Sequence, residues 1–477
     1  MTIQRGLFAL LLAGFASLSA RADVKGWAQA RRLVLLERAR LGPFASTLET
    51  DAVSATYPQR VDHFAANDLR TFAQRYWVDS SSVRAGTAAH APVIYSICGE
   101  STCSPSQGSA VMSRVRRLGA HLVVLEHRYY GRSQPFSDLS TENLRYLSTP
   151  QAIEDLASLQ RFLMETQNFK GPWIAVGGSY AGSLAAFYQL KHPELVAGAW
   201  SSSGPVRAKA NFEEYDRHVA LVAGPACLAR IQAAVKEVEA LLANPTSALE
   251  VKRLFGATEI THDVDFLYVM ADMVAAAVQY GFQRTFCGAL EKTTAQNLVS
   301  VYADIGTRVL AQLGVSALEI SFQSAVSLDP QDYISGFGMR GWMWQSCTEY
   351  GYYQTAFRDP KESSRSTRID EPYHDQVCER LFGLKQPVDA AATNREFFEW
   401  LLRTSTSRVI YTNGGNDPWQ HLSLRPDDLA DAPIPRDDVA AVLIGGASHC
   451  SDLSGGNSAE FQRAYGVLDG LLARWLK

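Results

Sequence analysis

Trp173-Ile174-Ala175-Val176-Gly177-Gly178-Ser179-Tyr180-Ala181-Gly182 runs from a short apolar stretch into a cluster of small residues holding one serine. The apolar run fits a buried strand, and Ser183 to Leu190, closed by Lys191-His192-Pro193, is helix-forming material. A serine at a tight strand-to-helix turn needs neighbours without bulk, because the backbone there folds back on itself. G-x-S-x-G in that setting is the nucleophile elbow of an α/β-hydrolase, which lifts a hydroxyl off the end of the sheet. By itself the pattern is weak in a chain with 34 glycines among 477 residues. Its position between strand and helix gives it meaning.

Upstream of the elbow, Pro150 to Thr166 carries Ile153, Leu156, Leu159 and Leu163 at mostly helical spacing, which predicts a crossover helix with one face on a sheet. Downstream, Leu195 to Ser203 reads as the next strand. Earlier, Tyr57 to Phe64 leads to the bulky segment Thr71 to Val78, a strand or hairpin. Pro92 to Ile97 and His121 to Glu126 are further strands, separated by a helix over Ser109 to Leu118. From about Val206 the rhythm turns helical, through Arg230 to Leu242, Asp265 to Tyr280 and Leu290 to Val301, with no clear strand series until Ser407. Strands resume at Arg408 to Thr412 and at Val439 to Ile444. The fold class expected is α/β, an α/β-hydrolase core with a large helical cap insertion. Its expected divisions are a core over 23–205, the cap over 206–400 and a return to the core over 401–477.

An α/β-hydrolase presents serine, acid and histidine in that chain order, each after a different strand. Ser179, Asp417 and His449 meet the pattern, the last two in Asn413-Gly414-Gly415-Asn416-Asp417-Pro418-Trp419 and Gly445-Gly446-Ala447-Ser448-His449-Cys450. Asp417 would orient His449, which would take the proton from Ser179 as it attacks an acyl carbon. Each has a plainer reading alone: a structural turn at the elbow, a turn-forming aspartate before Pro418, a loop histidine. Asp155, Asp452 and His192 are weaker rivals for the acid and the base. The backbone amide of Tyr180 is the natural first oxyanion donor, and the loop after Ile97 should supply the second, from Gly99 or Glu100. Glu100 is also a candidate for binding a substrate amine, or else a structural loop residue.

A net charge of −4 with 20% charged residues gives no basic field for nucleic acid. Arg5, the apolar run Gly6 to Ala16 and the small-residue site Ala20-Arg21-Ala22 read as a signal peptide over 1–22. That run is too short for a comfortable membrane span. Export to a periplasmic or extracellular location is therefore expected, and Trp27 to Leu48 then reads as an amphipathic helix. The seven cysteines fit an oxidising destination: Cys98 and Cys103 are spaced for a small disulfide loop, and up to three bridges leave one cysteine over. No cysteine-histidine cluster has zinc spacing, so no metal and no cofactor are expected. A homodimer is compatible with the sequence, which fixes no oligomeric state.

Further ordered motifs extend across most of the mature chain: Val61-Asp62-His63-Phe64, Glu126-His127-Arg128-Tyr129-Tyr130-Gly131-Arg132-Ser133, Trp344-Gln345-Ser346-Cys347-Thr348-Glu349 and His449-Cys450-Ser451-Asp452-Leu453. With the elbow and the Asp417 loop they resemble the proline-specific serine peptidase family that includes Pro-X carboxypeptidase, dipeptidyl peptidase II, thymus-specific serine protease and fungal acid prolyl endopeptidases. The resemblance implies Ser179, Asp417 and His449 as catalytic residues, cleavage after proline in an extracellular or acidic setting, and a helical insertion that narrows access. The loop Tyr95 to Glu100 departs from the asparagine-containing loop of some branches, which leaves exopeptidase and endopeptidase modes both open. A proline-containing peptide needs flat apolar walls, for which Trp342, Trp344 and Trp419 are candidates beside a packing role. A secreted esterase or lipase with the same triad is the alternative function, and a noncatalytic binding protein a more distant one.

Overall fold

The computed structural model describes residues 47–48, 50–404, 407–430 and 437–477. The expected signal peptide and most of the amphipathic stretch Trp27 to Leu48 lie outside them. The last two residues of that stretch, Thr47–Leu48, form a short strand antiparallel to Gln107–Gly108 rather than helix.

Eight strands make the main sheet: β1 (Val53–Arg60), β2 (Thr71–Asp79), β3 (Val93–Ile97), β4 (His121–Leu125), β5 (Trp173–Gly178), β6 (Gly198–Ser202), β7 (Val409–Gly414) and β8 (Ala440–Ile444). Their spatial order is β8-β7-β6-β5-β3-β4-β2-β1. The pairs β1·β2 and β2·β4 are antiparallel and all others parallel. This is the α/β-hydrolase sheet, with the elbow strand at its centre.

The continuous apolar runs of β3, β4 and β5 follow from burial on both faces. Val93, Tyr95, Val123, Trp173 and Ala175 enter one hydrophobic cluster, while their neighbours Ile94, Leu122, Val124, Ile174 and Val176 enter the other. Helix α1 (Ser109–Leu118) and the C-terminal Ala459–Trp475 cover the second face. Helices α2 (Thr149–Thr166) and α3 (Tyr180–Lys191) cover the first. On α2, Ile153, Leu156, Leu159 and Leu163 are at most 3% exposed, each contributing about 1.5–3 kcal/mol by leaving water.

Between β6 and β7 the chain is mainly helical. Two expectations there need correction. The stretch Leu290 to Val301 is not one helix but the end of Gln283–Lys292 and the start of Leu298–Gln312. Thr293 between them is extended (φ −85°, ψ 156°), and Thr293-Thr294 are β-branched residues that lose side-chain freedom in a helix. The insertion also contains strand, Lys209–Asn211 paired in parallel with Gly351–Tyr353. Three disulfides form: Cys98–Cys103 in the core, and Cys227–Cys287 and Cys347–Cys378 within the insertion. Cys450 is free and buried. Among the described residues no helix is long and apolar enough to cross a membrane.

Candidate active site

Ser179 joins β5 to α3 with φ 59° and ψ −133°, a backbone region that costs a non-glycine residue about 1–3 kcal/mol. Its surroundings hold it there. The Ser179 N–H donates to the carbonyl of Ser202 at the end of β6 (2.9 Å), and its own carbonyl accepts from the N–H groups of Gly182 (2.8 Å) and Ser183 (3.2 Å). A Cβ on Gly177 would lie 2.1 Å from the Ala181 carbonyl oxygen, so any other residue there would push the helix off the strand. Tyr180 opens α3, and its N–H is among the first four, which have no acceptor within the helix.

Asp417 follows β7 and is fully buried. One carboxylate oxygen accepts from the Trp419 N–H at 3.0 Å, and the other lies 2.7 Å from Nδ1 of His449, beyond β8. A carboxylate only accepts, so Nδ1 carries the proton and Nε2 is the free lone pair of the neutral ring. Burial pulls the His449 pKa down, but the Asp417 carboxylate, together with the neighbouring Cys450, outweighs it and holds the imidazole well above its ordinary value.

Ser179 and His449 line one cavity of about 2780 Å³, together with Gly99, Glu100, Trp342 and Trp419. Gly99 abuts the start of α3: a Cβ there would contact the Ala181 nitrogen at 3.5 Å. Burial pushes the Glu100 carboxyl up, opposed by its own amide and by His449. Trp344 is a correction. It lies outside the cavity lining, edge-on to Phe382 with 5.4 Å between ring centroids. Trp342 and Trp344 share the helix Met339–Gln345, and two residues apart on a helix means nearly opposite faces.

The rivals have other partners. Asp155 is paired with Arg128 and His63. Asp452 accepts from the hydroxyls of Ser202 (2.6 Å) and Thr412 (2.5 Å), tying β6 to β7. His192 pairs with Glu154 and Glu194.

The insertion reaches the site at three places that the sequence did not mark. The carbonyl of Gln279, in the last turn of α4 (Asp263–Gln279), accepts the His449 N–H at 2.9 Å. Its side-chain oxygen accepts from Trp419 Nε1 (3.0 Å) and the Tyr215 hydroxyl (2.7 Å). The next residue, Tyr280, sets its ring edge-on to the His449 imidazole, 6.0 Å between centroids. The Gly99-Glu100 loop is bound by Gly338 N–H to Glu100 carbonyl (2.9 Å) and Thr102 N–H to Gly336 carbonyl (3.0 Å).

The third contact lies behind Tyr180. Gln345 accepts from the Tyr130 hydroxyl and donates to the Tyr180 hydroxyl, both at 2.6 Å. His127 Nε2 stands 3.1 Å from that same oxygen, while Nδ1 is 2.7 Å from the Arg128 carbonyl and must donate to it. Tyr180 therefore donates to Nε2, and burial, which lowers the His127 pKa to about 4, keeps that ring neutral. Nearby, Glu349 accepts from the Thr149 N–H at the start of α2 (2.9 Å). Burial raises its carboxyl to about 7 against those donors.

Residues 59–464 match the model of the family described as serine carboxypeptidase S28. The chain belongs to that family. It is 36% identical over 379 residues to "Probable serine protease EDA2" of Arabidopsis thaliana, covering 77% of this chain and 75% of that one. To the thymus-specific serine protease of Mus musculus it is 34% identical over 433 residues, covering 83% and 81%. The lysosomal Pro-X carboxypeptidase of Bos taurus is 26% identical, covering 84% and 83%. This member of the S28 family is a serine-type peptidase that acts through an acyl-enzyme.

Proposed function

We propose that this S28 peptidase is exported and cleaves peptide bonds after proline, with Ser179 as nucleophile, His449 as general base and acid, and Asp417 as the carboxylate that orients the ring. The observation that carries the reading is one cavity holding a strained elbow serine and an imidazole whose Nδ1 is fixed by a buried carboxylate. His449 Nε2 takes the Ser179 proton as the hydroxyl oxygen attacks the scissile carbonyl, and the imidazolium beside Asp417 then protonates the leaving amine. Water attacks the acyl-enzyme with His449 again as base. The Tyr180 amide and an amide of the Gly99-Glu100 loop receive the oxyanion.

Proline specificity rests on the wall of the same cavity. Trp342 stacks on Tyr352 (6.1 Å, 28°), and Tyr352 meets Trp419 edge-on (5.4 Å, 80°). All three line the cavity. Such rings offer a flat apolar surface to a pyrrolidine ring that brings no N–H of its own. The relative from Bos taurus carries a Pro-X specificity in its name.

A peptide panel read by mass spectrometry tests this. With proline and alanine alternated at the cleaved position, and ends free or blocked, the expected result is cleavage after proline favoured in kcat/KM by at least about tenfold. Equal cleavage after alanine, or ester turnover without peptide cleavage, overturns the reading. The free and blocked ends separate exopeptidase from endopeptidase action.

A further inference from the structure

Helix α4 does more than touch His449. Tyr268, Asp272, the pair Ala275-Ala276 and Gln279 follow one another at three- or four-residue spacing, and every one lines the cavity. They form one stripe running away from the His449 contact. At 1.5 Å per residue, Asp272 stands about 10 Å along the helix from Gln279, roughly the span of three extended residues.

Asp272 is unusual on this stripe. Among the described residues its one hydrogen bond comes from Arg365, to Oδ1 at 3.1 Å, which leaves Oδ2 without a hydrogen-bond partner. Its side chain stays 23% exposed while that of Arg365 is fully buried. Arg365 is already engaged behind it by the Gln354 carbonyl (2.9 Å), the Gln354 side-chain oxygen (3.0 Å) and the Asp216 carboxylate (4.0 Å). One guanidinium thus stands between two carboxylates, and Asp216 is further satisfied by four donors from Phe357, Ser363 and Ser364. The half of the group that faces the cavity is the under-compensated half.

A second observation points to a ligand at the same place. His374 is 2% exposed, lines the cavity, and has an Nε2 with no partner among the described residues. Its ring stacks on Tyr353 (4.7 Å, 3°) and meets Tyr268, one turn before Asp272, edge-on (5.5 Å). Glu100, Glu259, Glu319 and Asp332 line the cavity too, against Arg75 and Arg132, and Arg75 is neutralised by Glu126. The wall as a whole favours positive charge.

We propose that Asp272, in the part of the cavity also lined by Tyr268, Tyr353 and His374, is a subsite for a cationic group of the peptide substrate, about three residues from the bond that is cut. The cation is an ammonium or guanidinium, supplied by the peptide N-terminus or by a lysine or arginine side chain. A carboxylate with a free oxygen gives it a charged hydrogen bond. This rests on the cavity being where the peptide binds; it is independent of which residue precedes the cleaved bond.

The test uses end-blocked peptides in which lysine or norleucine is placed two to four residues to either side of the cleaved residue, and a parallel set with free N-termini. Assays run near neutral pH, above the value of about 6 to which burial raises the Asp272 carboxyl against the pull of Arg365. Wild type should favour the cation-bearing peptide in kcat/KM by about tenfold or more at one placement. Asp272→Asn, which keeps the size of the side chain, should erase that ratio and leave the norleucine peptide within about threefold of wild type. The free-terminus arm assigns the cation to the N-terminus or to a side chain. A ratio near one in every arm of the wild type, or a ratio that survives Asp272→Asn, overturns the proposal. The norleucine peptides carry the proline-to-alanine comparison separately, so failure of the post-proline reading leaves the charge ratio readable. If turnover is too slow to measure, the same ratio is read as Kd on Ser179→Ala protein by calorimetry.

Discussion

Ser179, Asp417 and His449 each sit just beyond the carboxyl end of a parallel strand, whereas Gln279, Gln345 and Gly338 reach the residues around them from the insertion. The two sets are held differently. The first is fixed by strand register and a strained turn, so its geometry belongs to the sheet. The second consists of hydrogen bonds to the groups around the reacting atoms: the His449 amide, the Tyr180 hydroxyl and the Glu100 carbonyl. In the proposed mechanism the sheet supplies the groups that react, and the insertion sets how they are aimed.

Removing the proposed nucleophile tests the first half most severely. Ser179→Ala should lower kcat by at least about 10⁴-fold with the fold intact. Ser179→Gly should be equally inactive and yet more stable in thermal unfolding, because glycine relieves the positive φ. A Ser179→Gly protein less stable than wild type would contradict strain at the elbow.

Asp417→Asn comes next, with a loss of about 10⁴ in kcat if the carboxylate sets the tautomer of His449. The pH profile gives the sign. Turnover needs the neutral imidazole, and Asp417 favours the protonated one, so the acid limb of kcat/KM in the free enzyme should lie above the ordinary histidine value of 6.5. In Asp417→Asn burial acts without that opposition and the limb moves down. The same linkage makes the stability contributed by the protonated pair fully present below about 6.5 and lost as pH rises through the folded value. An acid limb unmoved by the substitution would detach Asp417 from His449.

Gln345→Leu probes the insertion's half. It strips the Tyr130 and Tyr180 hydroxyls of a buried partner and should cost about 1–3 kcal/mol in denaturant unfolding. It should also lower kcat by roughly 10- to 100-fold with little change in KM, since a small displacement of the Tyr180 amide weakens transition-state binding alone. Loss of stability with kcat preserved would make the contact purely structural.

The smallest contrast is between the two tryptophans of one helix. Trp342→Phe should raise KM several-fold for proline peptides, while Trp344→Phe leaves KM within about twofold. Equal effects would mean that Trp344 reaches the substrate after all.

The sheet half was legible because its constraints are local. The small residues Gly177, Gly178, Ser179, Ala181 and Gly182, apolar runs buried on both faces, and polar residues soon after the runs are visible along the chain. The insertion half was not. Gln279 matters because the last carbonyls of a helix lack internal partners and this one meets His449, which is a fact of tertiary placement. Gln345 lies in a motif that the sequence reading quoted, but nothing in its neighbours reveals that both its amide atoms face tyrosine hydroxyls of the core. Trp344 is a different failure. Once Met339–Gln345 is helical, the two-residue spacing already sends Trp342 and Trp344 to opposite sides, so the error came from missing a short helix.

The order of the strands has a further consequence for the chain as it is made. The serine after β5 leaves the ribosome early, and the carboxylate and imidazole that would activate it come only after the whole insertion, beyond β7 and β8. Until those last two strands add to the growing edge at β6, the hydroxyl has no proton acceptor beside it. Under the proposed mechanism, the order in which the parts are translated thereby keeps the nascent polypeptide from its own chemistry.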